Sequence, residues 1–379
     1  TGSNNTAVGR AALAANTTGA SNTAVGRDAG LSVTTGVQNT LIGSLAGDAL
    51  TDADNNTAVG FLALTTNVLG SGNTAIGVDA LSASNPASAA ITYNTSVGFQ
   101  SGKSVTTGVE NTLIGGLAGD ATTTGSYTTG TLNVAVGNHS LGNSTTGDNN
   151  TAVGHGALGA NTTASTNTAI GYLAAAGNIT GHTNVFVGNH AGNSGTVMTA
   201  GIGNIFVGSY THGSSATAND QHGFGYNLNC AAGFTTLGDT TNDIRAEFGV
   251  ATWATVSDQR YKKDIADSTA GLSFINALQP RTFKYKTLGE LPEAFNAYEA
   301  DSTKVFKNSN TNHGFIAQEV KTAIDADSGI KDGFKLWAER DDGGQEVAEA
   351  ALIPVLTKAI QELSTALDAA LARIATLEG

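Results

Sequence analysis

Asn22-Thr23-Ala24-Val25-Gly26 returns seventeen residues later as Asn39-Thr40-Leu41-Ile42-Gly43, and again as Asn56-Thr57-Ala58-Val59-Gly60. Twelve such phrases run from Asn5 to Gly208, with glycines at 9, 26, 43, 60, 77, 98, 115, 137, 154, 171, 188 and 208. The commonest spacing is 17 and the exceptions, 20, 21 and 22, are all longer, so loops have grown around an intact unit. A fixed period of this length marks a solenoid, whose units cannot bury a core alone and do so by stacking.

Within the phrase, the residue before glycine is Val or Ile in every copy, and two residues earlier stands Thr, Val or Ile. The two-residue period of a strand puts these on one face, expected to be the inner one. The small residue between them, usually Ala, is expected on an outer face that another chain could approach. Three residues past the glycine Ala or Ser recurs, and Thr-Thr-Gly turns such as 17–19 and 106–108 close several units. Each unit therefore reads as two short strands and two turns, and twelve stacked at about 4.8 Å would extend roughly 55 Å. Residues 32–49 and 104–121 match almost letter for letter, the trace of a block duplication. The fold class expected is mainly β: a parallel β-roll or β-helix solenoid over 1–208, a connector over 209–250 where the ladder stops, and a small α+β domain over 251–379.

The 379 residues carry a net charge of −13, which argues against nucleic acid or an anionic membrane as partner. Only four of the eighteen Lys and Arg precede residue 251, so the repeats are nearly uncharged and a different domain begins near Trp253. Cys230 stands alone, which excludes an intrachain disulfide and points to a small buried residue. No run of eighteen apolar residues is present, so membrane insertion is not expected. The start at Thr1-Gly2-Ser3-Asn4, at a repeat edge, points to a fragment whose missing N-terminal part would attach it to something larger.

In the last third, Leu272 to Leu278 has helical spacing, Pro280 breaks it, and Arg281 to Lys286 alternates as a strand. A helix is expected after Gly314. From Leu356 the apolar positions 356, 360, 363, 367, 370, 374 and 377 are spaced alternately by four and three. That is a coiled-coil seam over 356–378, which favours partner helices over packing on the helix's own domain.

Ser257-Asp258-x-Arg260-x-Lys262-x-x-Ile265, Leu278-x-Pro280-x-x-Phe283-x-Tyr285, Gly314-Phe315-Ile316-Ala317-Gln318-Glu319-Val320 and Leu352 to Leu356 together resemble the C-terminal intramolecular chaperone of phage tailspikes and tail fibres, the endosialidase or S74 peptidase type. The resemblance covers roughly 251–379. The repeat ladder is similar to the β-roll of trimeric autotransporter adhesin heads, whose repeats usually run shorter. The chaperone resemblance implies a homotrimer, a trimeric coiled coil, and self-cleavage beside Ser257, expected at the Ser257–Asp258 bond. Ser257 would be the nucleophile and Lys262 the general base, with Asp258 and Arg260 in support. A neutral lysine amine requires burial or neighbouring cations.

No cofactor or metal is expected. His139 and His190, each in a Gly-Asn-His run, could bind metal only if symmetric chains brought them together, and a solvent-facing turn is the favoured reading. No column of the repeat is reliably acidic, which argues against the paired carboxylates of a glycan hydrolase. The resulting expectation is a virion tail-fibre shaft. It would contact a host glycan or protein receptor, with the insertions at 84–93, 121–130 and 193–201 as the recognition surface, and tail or baseplate proteins through its N-terminal side. A bacterial surface adhesin of the same parts and a depolymerase with an intersubunit active site are the alternatives.

Overall fold

A computed structural model describes residues 2–120, 129–240, 242–250, 252–255, 257–327, 329–330 and 334–378. The chain divides into two compact units, Thr1–Ser257 and Asp258–Gly379.

The first unit is a parallel β-solenoid. One three-residue strand per repeat, from Thr6–Val8 to Ile205–Val207, pairs in register with the next. Each Asn-to-Asn repeat is called a coil below and numbered from Asn5. The stacking continues through the stretch read from sequence as a connector. Ile205–Val207 pairs in parallel with Gln221–Tyr226, and that strand with Phe234–Asp239. The antiparallel strand Asn242–Glu247, carrying Asp243, Arg245 and Glu247, closes this end. Charges on a terminal strand discourage further pairing. The insertion at 121–130 lies, over 121–128, outside the described residues.

Which face is inside corrects the sequence reading. The small central residue is buried in coils two to twelve, from Ala24 through Leu41, Ala58 and Ala152 to Phe186 and Phe206. The Val/Ile column faces outward: Val8 is 56 % exposed, Ile170 41 %, Ile42 and Ile114 39 % and Ile76 37 %, and the valines from Val25 to Val207 are half-buried. Alternation fixes that the two sets lie on opposite faces but not which is inner. Coil width decides it, because a seventeen-residue loop has interior space for one modest side chain per strand and not for two β-branched ones.

Volume compensates locally. In several coils a central Ala is accompanied four residues past the glycine by a buried leucine, as in Ala58 with Leu64 and Ala152 with Leu158. Central Leu41, Leu113 and Phe186 are accompanied there by Gly47, Gly119 and Gly192. A Cβ on Gly47 would lie 2.7 Å from Leu41, and one on Gly192 2.5 Å from Phe186. Close packing tolerates neither the missing nor the extra volume.

The second expected strand per unit is absent from most described coils. Residues two and four past the glycine take positive φ, as at Ala11 (55°) and Leu13 (53°) or His139 (56°) and Leu141 (50°). Alternating handedness of this kind makes a chain of turns, not a strand. The repeat glycine itself is required. At Gly98, φ is +141° and a Cβ would lie 2.5 Å from the carbonyl oxygen of Gly115 in the next coil.

The first residue of each coil supplies the polar spine. From Asn22 to Asn204 these residues, Asn39, Asn56, Asn150, Asn167 and Asn184 among them, are at most 4 % exposed, and only Asn5 of the first coil is half-buried. Asn150 Nδ2 donates to the Ala164 carbonyl (2.8 Å), while its Oδ1 accepts from the backbone N–H (3.0 Å) and Nδ2 (3.2 Å) of Asn167. Asn167 repeats the pattern on Asn184 and Gly181. Gln221 takes the same place beyond Asn204. A buried amide so paired avoids the cost of an unmet donor or acceptor. Cys230 is buried, and loss of solvent pushes its thiol up to about 12, so it stays protonated.

The second unit is small and mixed. Helix α1 (Leu272–Ala277), α2 (Ala317–Ala326) and α3 (Ile353–Glu378) accompany two antiparallel pairs, Arg281–Phe283 with Asn312–Gly314 and Trp337–Glu339 with Gln345–Val347. Phe274, Leu278, Val320, Ile324, Leu336, Leu352 and Val355 form its core. Helix α3 buries Val355 and Ala359 and, through Glu362, accepts the Leu272 N–H at 2.8 Å. Its other stripe, Leu356, Ile360, Leu363, Leu367, Ile374 and Leu377, is exposed.

Candidate functional site

The sequence places the chemistry at 257–262, and the boundary between the two units falls there, between Ser257 and Asp258. Asp258 sits in extended backbone (φ −66°, ψ 134°) as the cap of a single 3-10 turn, Gln259–Tyr261. Its carboxylate accepts the Arg260 N–H at 2.8 Å, satisfying one of the donors that a helix start leaves open. The Arg260 guanidinium then folds back on the same group, with Nε 3.0 and 3.1 Å and Nη2 2.6 Å from the carboxylate oxygens. These hydrogen bonds hold the Asp258 carboxyl below its ordinary range. Asp258 and Arg260 thus form a local clamp that fixes the chain one residue after Ser257, and the Arg260 charge is spent on Asp258.

Ser257 and Lys262 are both exposed. The Lys262 N–H donates to the Gln259 carbonyl at 3.0 Å, which closes the turn. Tyr261 and Ile265, at 81 % and 63 % exposed, flank it. Neither Ser257 nor Lys262 lines the cleft of about 860 Å³ in the second unit, whose walls include Phe283, Tyr285, Phe306, His313 and Arg340.

Ring-size chemistry restricts what Ser257 can cut within its own chain. Attack of its Oγ on its own carbonyl carbon would close a four-membered ring, whereas attack on the carbonyl of Val256 closes a five-membered one. Of the two peptide bonds that flank it, a nucleophilic Ser257 would therefore reach the one on its N-terminal side, one peptide before the bond expected from sequence.

Residues 257–328 match the model of the chaperone of endosialidase, the S74 peptidase family. This stretch is a chaperone-of-endosialidase domain. No curated protein and no solved structure matches the chain. A β-solenoid followed by a chaperone domain of this family fits a tail-fibre or tailspike-like protein. No described helix is long and apolar enough to cross a membrane.

The histidines raised from sequence belong to the first unit. His139 is on an exposed turn and His190 is half-buried on the equivalent turn three coils on. Among the described residues no group of three or more His, Cys, Asp or Glu is placed to hold a metal. Sequence reasoning did not assign the Asn column a role, although its presence at the head of almost every repeat was the available signal.

Proposed function

We propose that this chain is the shaft of a homotrimeric phage tail fibre that contacts a host surface receptor, and that its chaperone domain aligns three chains and then releases itself at Ser257. The observation that carries the reading is the exposed seam of α3. Leu356, Ile360, Leu363 and Leu367 are 42 %, 65 %, 51 % and 59 % exposed. A helix spends apolar residues at a 3.5-residue period on a partner helix, since water is an unfavourable neighbour for them. The outward Thr and Val/Ile columns of the solenoid extend the same argument to the shaft, where equivalent faces of three copies would cover one another.

Release would proceed in two balanced steps. The Ser257 hydroxyl, deprotonated by Lys262, attacks the Val256 carbonyl, and the amide nitrogen leaves as the Ser257 amine, giving an ester. Water then cleaves that ester, leaving a carboxylate on Val256 and a hydroxyl on Ser257. A general base needs a neutral amine, and burial of Lys262 against neighbouring copies supplies it, which ties cutting to assembly.

Intact-mass measurement and a denaturing gel test this. The wild-type chain gives two fragments, the C-terminal one beginning at Ser257, and Ser257→Ala gives one full-length species. Scission persisting in Ser257→Ala would remove the nucleophile from the scheme.

A further inference from the structure

One corner of the solenoid carries a feature that neither the chaperone domain nor the trimer reading uses. From coil eight to coil thirteen, the two turn positions after each repeat glycine contribute one ring per coil: His139, His155, Tyr172, His190, Tyr210 and Tyr226. Successive centroids are 6.5, 5.4, 5.4, 5.4 and 6.0 Å apart. The contacts alternate: edge (69°), stacked (22°), edge (62°), stacked (10°), edge (84°). The two stacked steps are both an imidazole on a phenol. Tyr172 is 48 % exposed, Tyr210 38 % and Tyr226 54 %.

The chemistry of this corner differs from that of the same corner elsewhere. Coils one and two hold Arg10, Arg27 and Asp28, with both guanidiniums on the one carboxylate at 2.7 and 2.9 Å. In coils eight to thirteen the two positions hold no Asp, Glu, Lys or Arg, and where one is not a ring it is often a polar neutral residue: Asn138, Asn189, Ser209 or Asn227.

We propose that this ladder binds an uncharged, unbranched glycan chain lying along the shaft. The proposal rests on reading the shaft as host-contacting and gives that contact a place. Rings held at strand spacing are ordered before the ligand arrives, so binding immobilises little. The rings are exposed or half-buried, so with the neighbouring carboxamides they present phenol hydroxyls, ring nitrogens and amides in a row. A hydroxyl-rich chain matches such a row at each step, over a span of roughly 24 Å for five strand spacings of about 4.8 Å. Nucleic acid and acidic polysaccharide would meet no cation there and a chain of charge −13. A protein partner needs a patch of about 800 Å² on each side, and the ladder is one side chain wide.

The test uses the purified full chain on a printed panel of bacterial surface polysaccharides divided into neutral and acidic sets. Wild-type protein is expected on one or more neutral unbranched polymers. The double variant Tyr172→Phe/Tyr210→Phe keeps both stacks and loses two hydroxyls. It should melt with the wild type and bind the same polymer about tenfold more weakly. Tyr172→Ala/Tyr210→Ala should lose retention altogether. Retention on acidic polymers only, on none, or undiminished in both variants would overturn the proposal. Scattering mass on the same samples separates the two readings: undiminished binding by a trimer removes the ladder and leaves the fibre, and a monomer that binds in a ladder-dependent way does the reverse.

Discussion

Asn150 shows the polar demand that the spine makes on one residue, because its carboxamide bridges three coils at once. It donates to Asn133 Oδ1 (3.2 Å) and the Ala164 carbonyl (2.8 Å) and accepts two bonds from Asn167. Asn150→Ala strands the buried backbone N–H of Asn167, while the Ala164 carbonyl keeps its bond from Asn161 Nδ2 at 3.2 Å. At 1–3 kcal/mol for such a group, the expected loss is about 2 kcal/mol, read from urea unfolding of the variant and wild-type chains. A loss under about 0.5 kcal/mol would mean that water replaces the amide and that the spine is decorative. The letter was visible in the sequence from the first repeat, but its role was not, since hydrophobic patterning has no term for a buried amide. The adjacent Val/Ile column failed in the opposite sense. Its hydrophobicity was legible and its direction was not, because Val25 and Ala24 alternate equally well with either one inside, and the decision belongs to coil width, set by Leu13, Gly30 and Leu41 together.

At the scale of elements, the parallel strands and all three helices lay close to where periodicity placed them, since strand and helix periods are written directly in apolar spacing. The turn half of each coil was misread as a strand because positive φ at residues such as Leu13, His139 and Leu173 leaves no mark in hydropathy. Helix α3 is the element whose surface asks most of its surroundings. One side, Val355 and Ala359, belongs to its own core, and the seam from Leu356 to Leu377 does not. Leu363→Asp/Leu367→Asp places two carboxylates in that seam and leaves Val355 and Ala359 untouched. The expected result is a fall in scattering mass from three chains to one, with the melting of the solenoid unit unchanged. Loss of scission in the same variant would tie cutting to assembly through Lys262. A variant that stays trimeric would assign the seam to some other contact.

For the molecule as a whole, what makes the solenoid easy to build makes its assembly hard to align. Coils interact with their neighbours through nearly interchangeable Asn, Ala and Gly columns, so stability is close to a sum of repeated nearest-neighbour contributions. Three such chains side by side can slip by one coil and lose only the end contacts, an error every seventeen residues along the sequence. Features that differ from coil to coil, such as the Arg10–Asp28–Arg27 cluster and the ring ladder, penalise slippage weakly because they are exposed. On the proposed function, a unique helix bundle at one end would set the register before the repeats zip, and cutting it away would then remove the route by which the chains could separate and re-pair, leaving a kinetically stable shaft. Residues 1–257 expressed without the chaperone domain should therefore fold coil by coil yet assemble into species of mixed mass, whereas the full chain gives one. Analytical ultracentrifugation of the two preparations decides it. A single sharp trimer from 1–257 alone, melting with the shaft released from the full chain, would show that the repeats find their own register and leave the chaperone domain without the role of aligner.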